Sequence, residues 1–101
     1  MKIDLKFRPE FRERMLSGRK TATSRTKRMG LVGDQFEAFG ATFQIAILSN
    51  WSLASIANVF YILEGFESRE EFIECWKLIH PRKGYDPEQR VWLHIFKRVE
   101  K

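Results

Sequence analysis

Alternation of apolar and polar side chains predicts four strands in this chain. They cover residues 2–7, 35–39, 42–48 and 90–99. In the first, Ile3, Leu5 and Phe7 share one face and charged residues occupy the other, which is the pattern of a half-buried strand. A turn at Gly40-Ala41 separates the second from the third. The last segment is largely apolar on both faces, which predicts a strand in the middle of a sheet.

Helical spacing of apolar residues and local capping signals predict three short helices. They cover residues 9–17, 53–63 and 69–80. Pro9 suits the first turn of one helix and Gly18 its end. Ser52 can cap the second, and Ser68 with Glu71 forms a capping box before the third. Strands mixed with helices indicate an α+β fold. We predict one domain over residues 1–101, a small curved mixed sheet or barrel with the helices packed at its ends.

Composition limits the classes of protein to which the chain can belong. A length of 101 residues with 44% apolar content supports one modest core. No apolar run reaches the roughly 18 residues of a membrane span, and the N-terminus has no apolar leader. Cys75 stands alone and the chain has only two histidines, His80 and His94, so we expect no disulfide, no metal and no cofactor. These features favour a cytoplasmic monomer that does not bind membranes.

Positive charge is concentrated at the start of the chain. Residues 1–30 hold ten Lys and Arg against three Asp and Glu, a net charge of +7, whereas the whole chain carries +5. Such a basic segment suggests a polyanionic partner such as RNA. The cations expected to contact it are Arg19, Arg25, Lys27 and Arg28.

The segment GRKTATSR, residues 18–25, contains the best candidates for chemistry. The hydroxyl of Thr23 becomes a nucleophile only when a base removes its proton. Lys20 can be that base if burial or a neighbouring cation lowers its pKa. In an extended strand the two side chains would point to opposite faces, so they can meet only if the chain bends. Glu64, at a helix end, could donate a proton to a leaving group. The alternative is a solvated loop that touches phosphate.

Aromatic residues divide into core and candidate ligand contacts. Phe72 and Trp76 lie at helical spacing and are expected in the core. Trp51 and Tyr85 fall in loop-like segments, where a ring is free to contact a base.

The motif Gly18-Arg19-Lys20 followed by Arg25 resembles the G-x-K-x-x-x-x-R signature of ASCH domains, which are small β-barrel domains related to the PUA fold. Other segments agree in order and spacing: Gly33-Asp34, Glu64-Gly65-Phe66 and Ile95-Phe96-Lys97. The resemblance spans nearly the whole chain. It implies a cleft that binds RNA or nucleotides.

Many ASCH domains have Glu where this chain has Thr23. That departure resembles a subgroup of N(4)-acetylcytidine amidohydrolases with the local pattern G-R-K-T-x-T-x-R. The resemblance implies Lys20 as proton acceptor, Thr23 as nucleophile, Glu64 as proton donor and Arg25 as ligand clamp or charge stabiliser. The substrate would be a cytidine-type nucleoside. Two alternatives stay open: a non-catalytic RNA-binding module, and a ribonuclease using the same basic cleft.

Overall fold

Four strands form one antiparallel sheet in the computed structural model, which describes residues 1–99. The strands are Ala22–Arg25 (β1), Gln35–Ala38 (β2), Ala41–Ser52 (β3) and Arg90–Arg98 (β4). Their order is β1-β4-β3-β2. The register shifts between Ile45 and Ile47 of β3, and such a bulge bends a strand and increases its twist. The sheet curls into a half-barrel, which confirms the predicted α+β fold. Residues 100 and 101 of the predicted domain lie outside the described residues.

Short helical segments complete the fold. They are a 3₁₀ turn at Pro9–Phe11, Arg12–Leu16 (α1), Leu53–Ser55 (α2), a π-helical segment at Ile56–Phe60 and Arg69–Ile79 (α3). The helix predicted at 53–63 therefore ends earlier than expected, at Phe60, and most of it has the wider π-helical winding. The helices predicted at 9–17 and 69–80 are confirmed within a residue or two. Ser52 caps α2, and Ser68 accepts a hydrogen bond from the Glu71 N–H at 3.0 Å. The capping box is half formed, because the Glu71 carboxylate accepts from the N–H of Glu67 instead of Ser68.

The strand predicted at residues 2–7 is wrong. Among the described residues, Lys2 alone in this segment makes a bridge, a parallel one to Gln35. The predicted burial nevertheless holds, since Leu5 is buried while Asp4 and Lys6 are exposed. Alternation reports which face of an extended segment is covered, and it cannot report whether a neighbouring strand edge is within hydrogen-bonding distance.

The hairpin of β2 and β3 turns one residue earlier than predicted. Its two central residues, Phe39 and Gly40, have φ angles of 54° and 81°. Positive φ at both positions is the geometry of a type I′ turn. Ala38 and Ala41 therefore pair across the turn, and Ala41 starts β3.

The predicted central strand is confirmed. β4 lies between β1 and β3, and it has buried side chains on both faces, Val91 and Leu93 on one and His94 and Phe96 on the other. Inside the curl, the ring of Phe96 packs edge-on against Phe36 and Phe43 at 5.3 and 5.4 Å between centroids. This aromatic core holds β4 in place, and β4 in turn holds β1, which carries the candidate site.

Candidate functional site

A cleft of about 330 Å³ is formed by β1, α3, the extended segment 6–8, the loop 26–29 and the turn 64–66. A volume of this order is typical of small-ligand pockets. Its apolar lining is largely aromatic and includes Phe11, Phe66, Phe72 and Trp76. Its polar lining includes four buried residues, namely Lys20, Thr23, Ser24 and Glu64. Four cations also line it: Lys6, Arg8, Arg25 and Lys27.

Backbone hydrogen bonds bring Lys20 next to Glu64, which is 44 residues away in the chain. The Lys20 N–H donates to the Arg14 carbonyl at 2.8 Å, which ties the end of α1 to the start of the site. The next two N–H groups along the chain both donate to the Leu63 carbonyl, at 2.7 and 3.0 Å. The segment that enters β1 is thereby held against the residue that precedes Glu64.

Gly65 permits the close approach of these two segments. Its φ angle is +93°, and a Cβ added there would lie 2.8 Å from the Cβ of Lys20. Glycine adopts positive φ without the penalty that a side chain brings. The packing against Lys20 therefore requires glycine at position 65, while Glu64 beside it supplies the carboxylate of the site.

Lys20 and Glu64 form a buried ion pair in the cleft. The exposed fraction of Lys20 is 2% and that of Glu64 is 4%. The ammonium Nζ donates to the Ala22 carbonyl at 2.9 Å, the Glu64 carbonyl at 3.0 Å and Glu64 Oε1 at 3.3 Å. Burial lowers the pKa of Lys20, and the Glu64 carboxylate opposes that shift. The proton on this pair is therefore held less firmly than on a lysine in water.

Two neighbouring hydroxyls of β1 make different contacts. Ser24 donates to Glu64 Oε2 at 2.5 Å. Thr23 points to the other face of the strand, where its Oγ1 accepts from Arg25 Nε at 3.4 Å. Within the described residues, Thr23 Oγ1 has no hydrogen bond to Lys20 or Glu64. The cleft thus brings together the three residues expected to act in catalysis, and it attaches Ser24 directly to the ion pair.

Arg25 lies beside this polar group with its guanidinium partly buried. It donates to the Lys6 carbonyl at 2.7 Å and lies over the ring of Phe7, 5.1 Å from the centroid. Burial lowers the pKa of Arg25 and Glu64 opposes the shift, but an arginine remains a cation at any working pH. Lys27 also lines the cleft. Both therefore fit the expected contact with an anionic or polar ligand.

His94 supports the site from beneath without entering the cleft. It is fully buried on β4, and its Nε2 accepts from the N–H of Met29 at 3.1 Å. Its Nδ1 lies 3.3 Å from the carbonyl of Thr23 and 3.0 Å from that of Trp92. Because Nε2 accepts, Nδ1 carries the proton and the ring is neutral. Burial lowers the pKa of His94, which favours this neutral state.

Two of the predicted cationic contacts lie away from the cleft. Arg19 is exposed and forms an ion pair with Glu13 at 3.8 Å. The guanidinium of Arg28 lies over the ring of Trp92, 6.0 Å from its centroid. Neither residue lines the cleft formed by the described residues.

Trp51 and Tyr85 are also not brought to the cleft. Trp51 packs against Phe60 with 5.0 Å between ring centroids, and its Nε1 donates to Ser49 at 2.8 Å. The hydroxyl of Tyr85 is buried and has no hydrogen-bond partner in the part of the chain that the structure describes.

Several functional features were not foreseen. The motif match does not single out Ser24 within the segment GRKTATSR, and helical spacing predicts a core position alone for Phe72 and Trp76. Phe72 and Trp76 are indeed buried, yet they also line the cleft. Cys75 lines it as well, and burial raises the pKa of its thiol, which disfavours the reactive thiolate.

Two kinds of feature are absent from residues 1–99, a metal-binding cluster and a membrane-spanning helix. No three His, Cys, Asp or Glu side chains there lie close enough together to hold a metal ion. None of the helices in that range combines the length and apolar content that crossing a bilayer requires.

Comparison with solved structures identifies the fold. An ASCH domain from Lactobacillus crispatus JV V101 is 15% identical and has a TM-score of 0.75, with 96% of this chain and 78% of that one covered. A Pyrococcus furiosus protein studied by solution NMR is 16% identical with a TM-score of 0.69, and both chains are covered completely. An ASCH protein from Zymomonas mobilis is 13% identical with a TM-score of 0.61, covering 95% and 65%.

The fold of this chain is therefore that of ASCH domains, a small PUA-like α+β fold. No family model matches the sequence, and no curated protein matches it. Because identities near 15% establish a fold and not an activity, the function has to be argued from the cleft.

Proposed function

We propose that this chain is a member of the ASCH family that removes an acyl group from the amide nitrogen of a modified cytidine. The observation that carries the proposal is the buried Lys20–Glu64 pair, which lines a cleft of about 330 Å³ together with two buried hydroxyls. Burying two charges costs several kcal/mol unless each is well paired. A pair placed where a ligand can reach it is suited to moving protons.

The ion pair contains one acid and one base in either proton arrangement. With the proton on Lys20, the carboxylate is the base and the ammonium the acid. With the proton on Glu64, the neutral amine is the base and the carboxylic acid the donor. The pair is 3.3 Å apart and neutral overall in both forms. Amide hydrolysis needs both roles, since the attacking oxygen loses a proton and the leaving nitrogen gains one.

The cleft walls support a planar, polar ligand. Phe11, Phe66 and Trp76 supply rings against which a base can pack, and such stacking contributes on the order of 1–3 kcal/mol per base. Arg25 supplies a cation next to the hydroxyls, suited to the oxyanion that forms at the attacked carbonyl. The cleft volume lies at the lower end of the range for small-ligand sites, which favours a nucleoside over a folded polymer as the reacting group.

The resemblance to N(4)-acetylcytidine amidohydrolases names the substrate to test. Water and N(4)-acetylcytidine would give cytidine and acetate. In that subgroup the proton acceptor corresponds to Lys20, the nucleophile to Thr23 and the proton donor to Glu64. The cleft contains two buried hydroxyls, so the attacking oxygen belongs to Thr23, to Ser24 or to a water held between them. We expect the chain to act as a cytoplasmic monomer.

The test is release of cytidine from N(4)-acetylcytidine, followed by chromatography. Lys20→Met and Glu64→Gln should each lower turnover by about 100-fold or more, the scale of acid–base assistance. Lys77→Met is the matched control, because Lys77 is exposed and pairs with Glu74 on the surface of α3. Wild-type protein that releases no cytidine above the uncatalysed rate, or variants within threefold of wild type, would overturn the proposal.

A non-catalytic RNA-binding module is the second candidate, favoured by the cations along the cleft. Lys6, Arg8 and Lys27 are exposed there, where they can neutralise phosphates. Such contacts release counterions, so affinity for a short single-stranded RNA should fall steeply as salt rises. Arg25→Ala combined with Lys27→Ala should weaken it. RNA affinity that changes neither with salt nor with the double substitution excludes this candidate. Cleavage of the RNA during the titration would indicate the ribonuclease alternative.

A further inference from the structure

Of the two buried hydroxyls in the cleft, that of Ser24 is hydrogen-bonded to the Lys20–Glu64 ion pair. Its Oγ donates to Glu64 Oε2 at 2.5 Å, while Lys20 Nζ donates to the other oxygen of the same carboxylate at 3.3 Å. All three residues are buried, with Ser24 only 8% exposed, and all three line the cleft. A hydroxyl bonded to a base that a third group orients is the arrangement of an activated nucleophile.

We propose that Ser24 is the nucleophile of this site, that Glu64 takes its proton, and that Lys20 holds Glu64 in position. The inference rests on the acyl-transfer function proposed above and deepens it. It also reassigns the attacking oxygen, which the resemblance gives to Thr23.

Contacts separate the two hydroxyls. Thr23 Oγ1 accepts a hydrogen bond from Arg25 Nε, and the arginine guanidinium is a cation that cannot take up a proton. Ser24 Oγ is bonded to a carboxylate, which does accept one. Ser24 is also a primary alcohol, whereas the methyl group of Thr23 crowds its hydroxyl. Ser24 therefore combines a hydroxyl, a hydrogen bond to a base and a position in the cleft lining.

Contacts also decide which member of the ion pair is the base. Lys20 Nζ has three acceptors, the carbonyls of Ala22 and Glu64 and the carboxylate Oε1 of Glu64. Three acceptors match the three N–H bonds of an ammonium, which has no lone pair left to take a proton. Glu64 Oε2, in contrast, receives the Ser24 proton directly. Lys20 is therefore a positioning residue here.

The proposed steps balance. Ser24 Oγ bonds to the acyl carbon, its proton moves to Glu64 Oε2, and the carbonyl electron pair moves to oxygen. When the tetrahedral adduct collapses, the C–N bond breaks, and the Glu64 proton passes to the leaving nitrogen. Water then attacks the Ser24 ester and gives one proton to Glu64. Ser24 recovers that proton as the carboxylic acid leaves, and the acid loses its own proton to solvent.

The experiment uses p-nitrophenyl acetate, an activated acetyl donor that needs no nucleoside recognition. The full-length protein is mixed with it, quenched in acid and digested with trypsin. Cleavage after Lys20 and Arg25 gives the peptide of residues 21–25, which contains Thr23 and Ser24. Fragmentation of that peptide assigns an acetyl group to one of its three hydroxyl residues, Thr21, Thr23 or Ser24, and acetylated Lys20 would show as a missed cleavage.

The acetyl group should be found on Ser24, with a burst of about one equivalent of p-nitrophenolate. Ser24→Ala should abolish both, Glu64→Gln should slow the burst by about 100-fold or more, and Lys77→Met, which changes an exposed residue of α3, should retain it. Ser24→Thr keeps a hydroxyl bound to Glu64 and should retain part of the rate, which separates chemistry from folding. Acetyl on Thr21, Thr23 or Lys20, or neither burst nor acetyl-peptide, overturns the Ser24 assignment.

The result is independent of the substrate proposed above. Turnover of N(4)-acetylcytidine with the acetyl group on another residue rejects Ser24 as the nucleophile and supports the proposed function. An acetyl group on Ser24 without turnover of N(4)-acetylcytidine rejects that substrate and supports Ser24 as the nucleophile.

Discussion

Removing one member of the Lys20–Glu64 pair should destabilise the fold more than removing both. With side chains 2% and 5% exposed, either charge would be left almost without water. Breaking a buried pair in this way costs about 3–5 kcal/mol, a large part of the 5–15 kcal/mol that typically holds a domain together. Lys20→Met and Glu64→Met should each lose about that much. The double variant removes both charges of the pair and should recover at least half of the loss.

Urea unfolding followed by circular dichroism measures these free energies. With a slope of about 1–3 kcal/mol per molar urea for small proteins, each single variant should shift the midpoint by at least about 1 M. The double variant should be well folded but inactive toward N(4)-acetylcytidine and p-nitrophenyl acetate. A double variant that loses the sum of the single losses would refute the reasoning, because the two charges would then contribute independently.

Two further predictions test the supports of the site. Burial lowers the pKa of His94, so below about pH 6.5 the unfolded chain takes up a proton that the folded chain resists. The free energy of unfolding should therefore decrease as pH is lowered below that value, by up to about 1.4 kcal/mol per pH unit. In His94→Gln, which keeps an acceptor for the Met29 N–H, the urea midpoint should decrease less over the same pH range. Equal pH slopes for the two proteins would contradict this. Gly65→Ala should destabilise more than Gly18→Ala in the same urea assay, because both glycines have positive φ but only the first would place a Cβ 2.8 Å from Lys20. Equal losses would mean that the backbone angle alone matters.

Local signals predicted those elements whose reason lies within a few residues. The capped helix α3 was found because Ser68 accepts from a backbone N–H three residues ahead. β4 was assigned to the middle of the sheet because both of its faces are apolar. The chemistry of their side chains made Lys20 a candidate base and Glu64 a candidate proton donor, and the resemblance implied that the two share a site. No local pattern links residues 44 apart.

Features that depend on distant neighbours were not predictable in the same way. Residues 2–7 have the alternation of a strand, but only Lys2 bridges to β2. Trp51 was proposed as a ligand contact because it lies outside the predicted strands, whereas it belongs to β3 and packs on Phe60. A segment's own sequence carries no information about which end of the domain it reaches.

The Ser24 contact differs from these cases, because the sequence contained the signal. In an extended strand, side chains alternate between faces, so Lys20 and Thr23 fall on opposite sides while Lys20 and Ser24 fall on the same side. The structure follows this parity: Lys20 and Ser24 both reach Glu64, and Thr23 reaches Arg25. A motif match selects residues by position in a family, whereas strand geometry selects those that can touch. Where the two disagree by one residue, the acetyl-peptide measured at residues 21–25 decides between them.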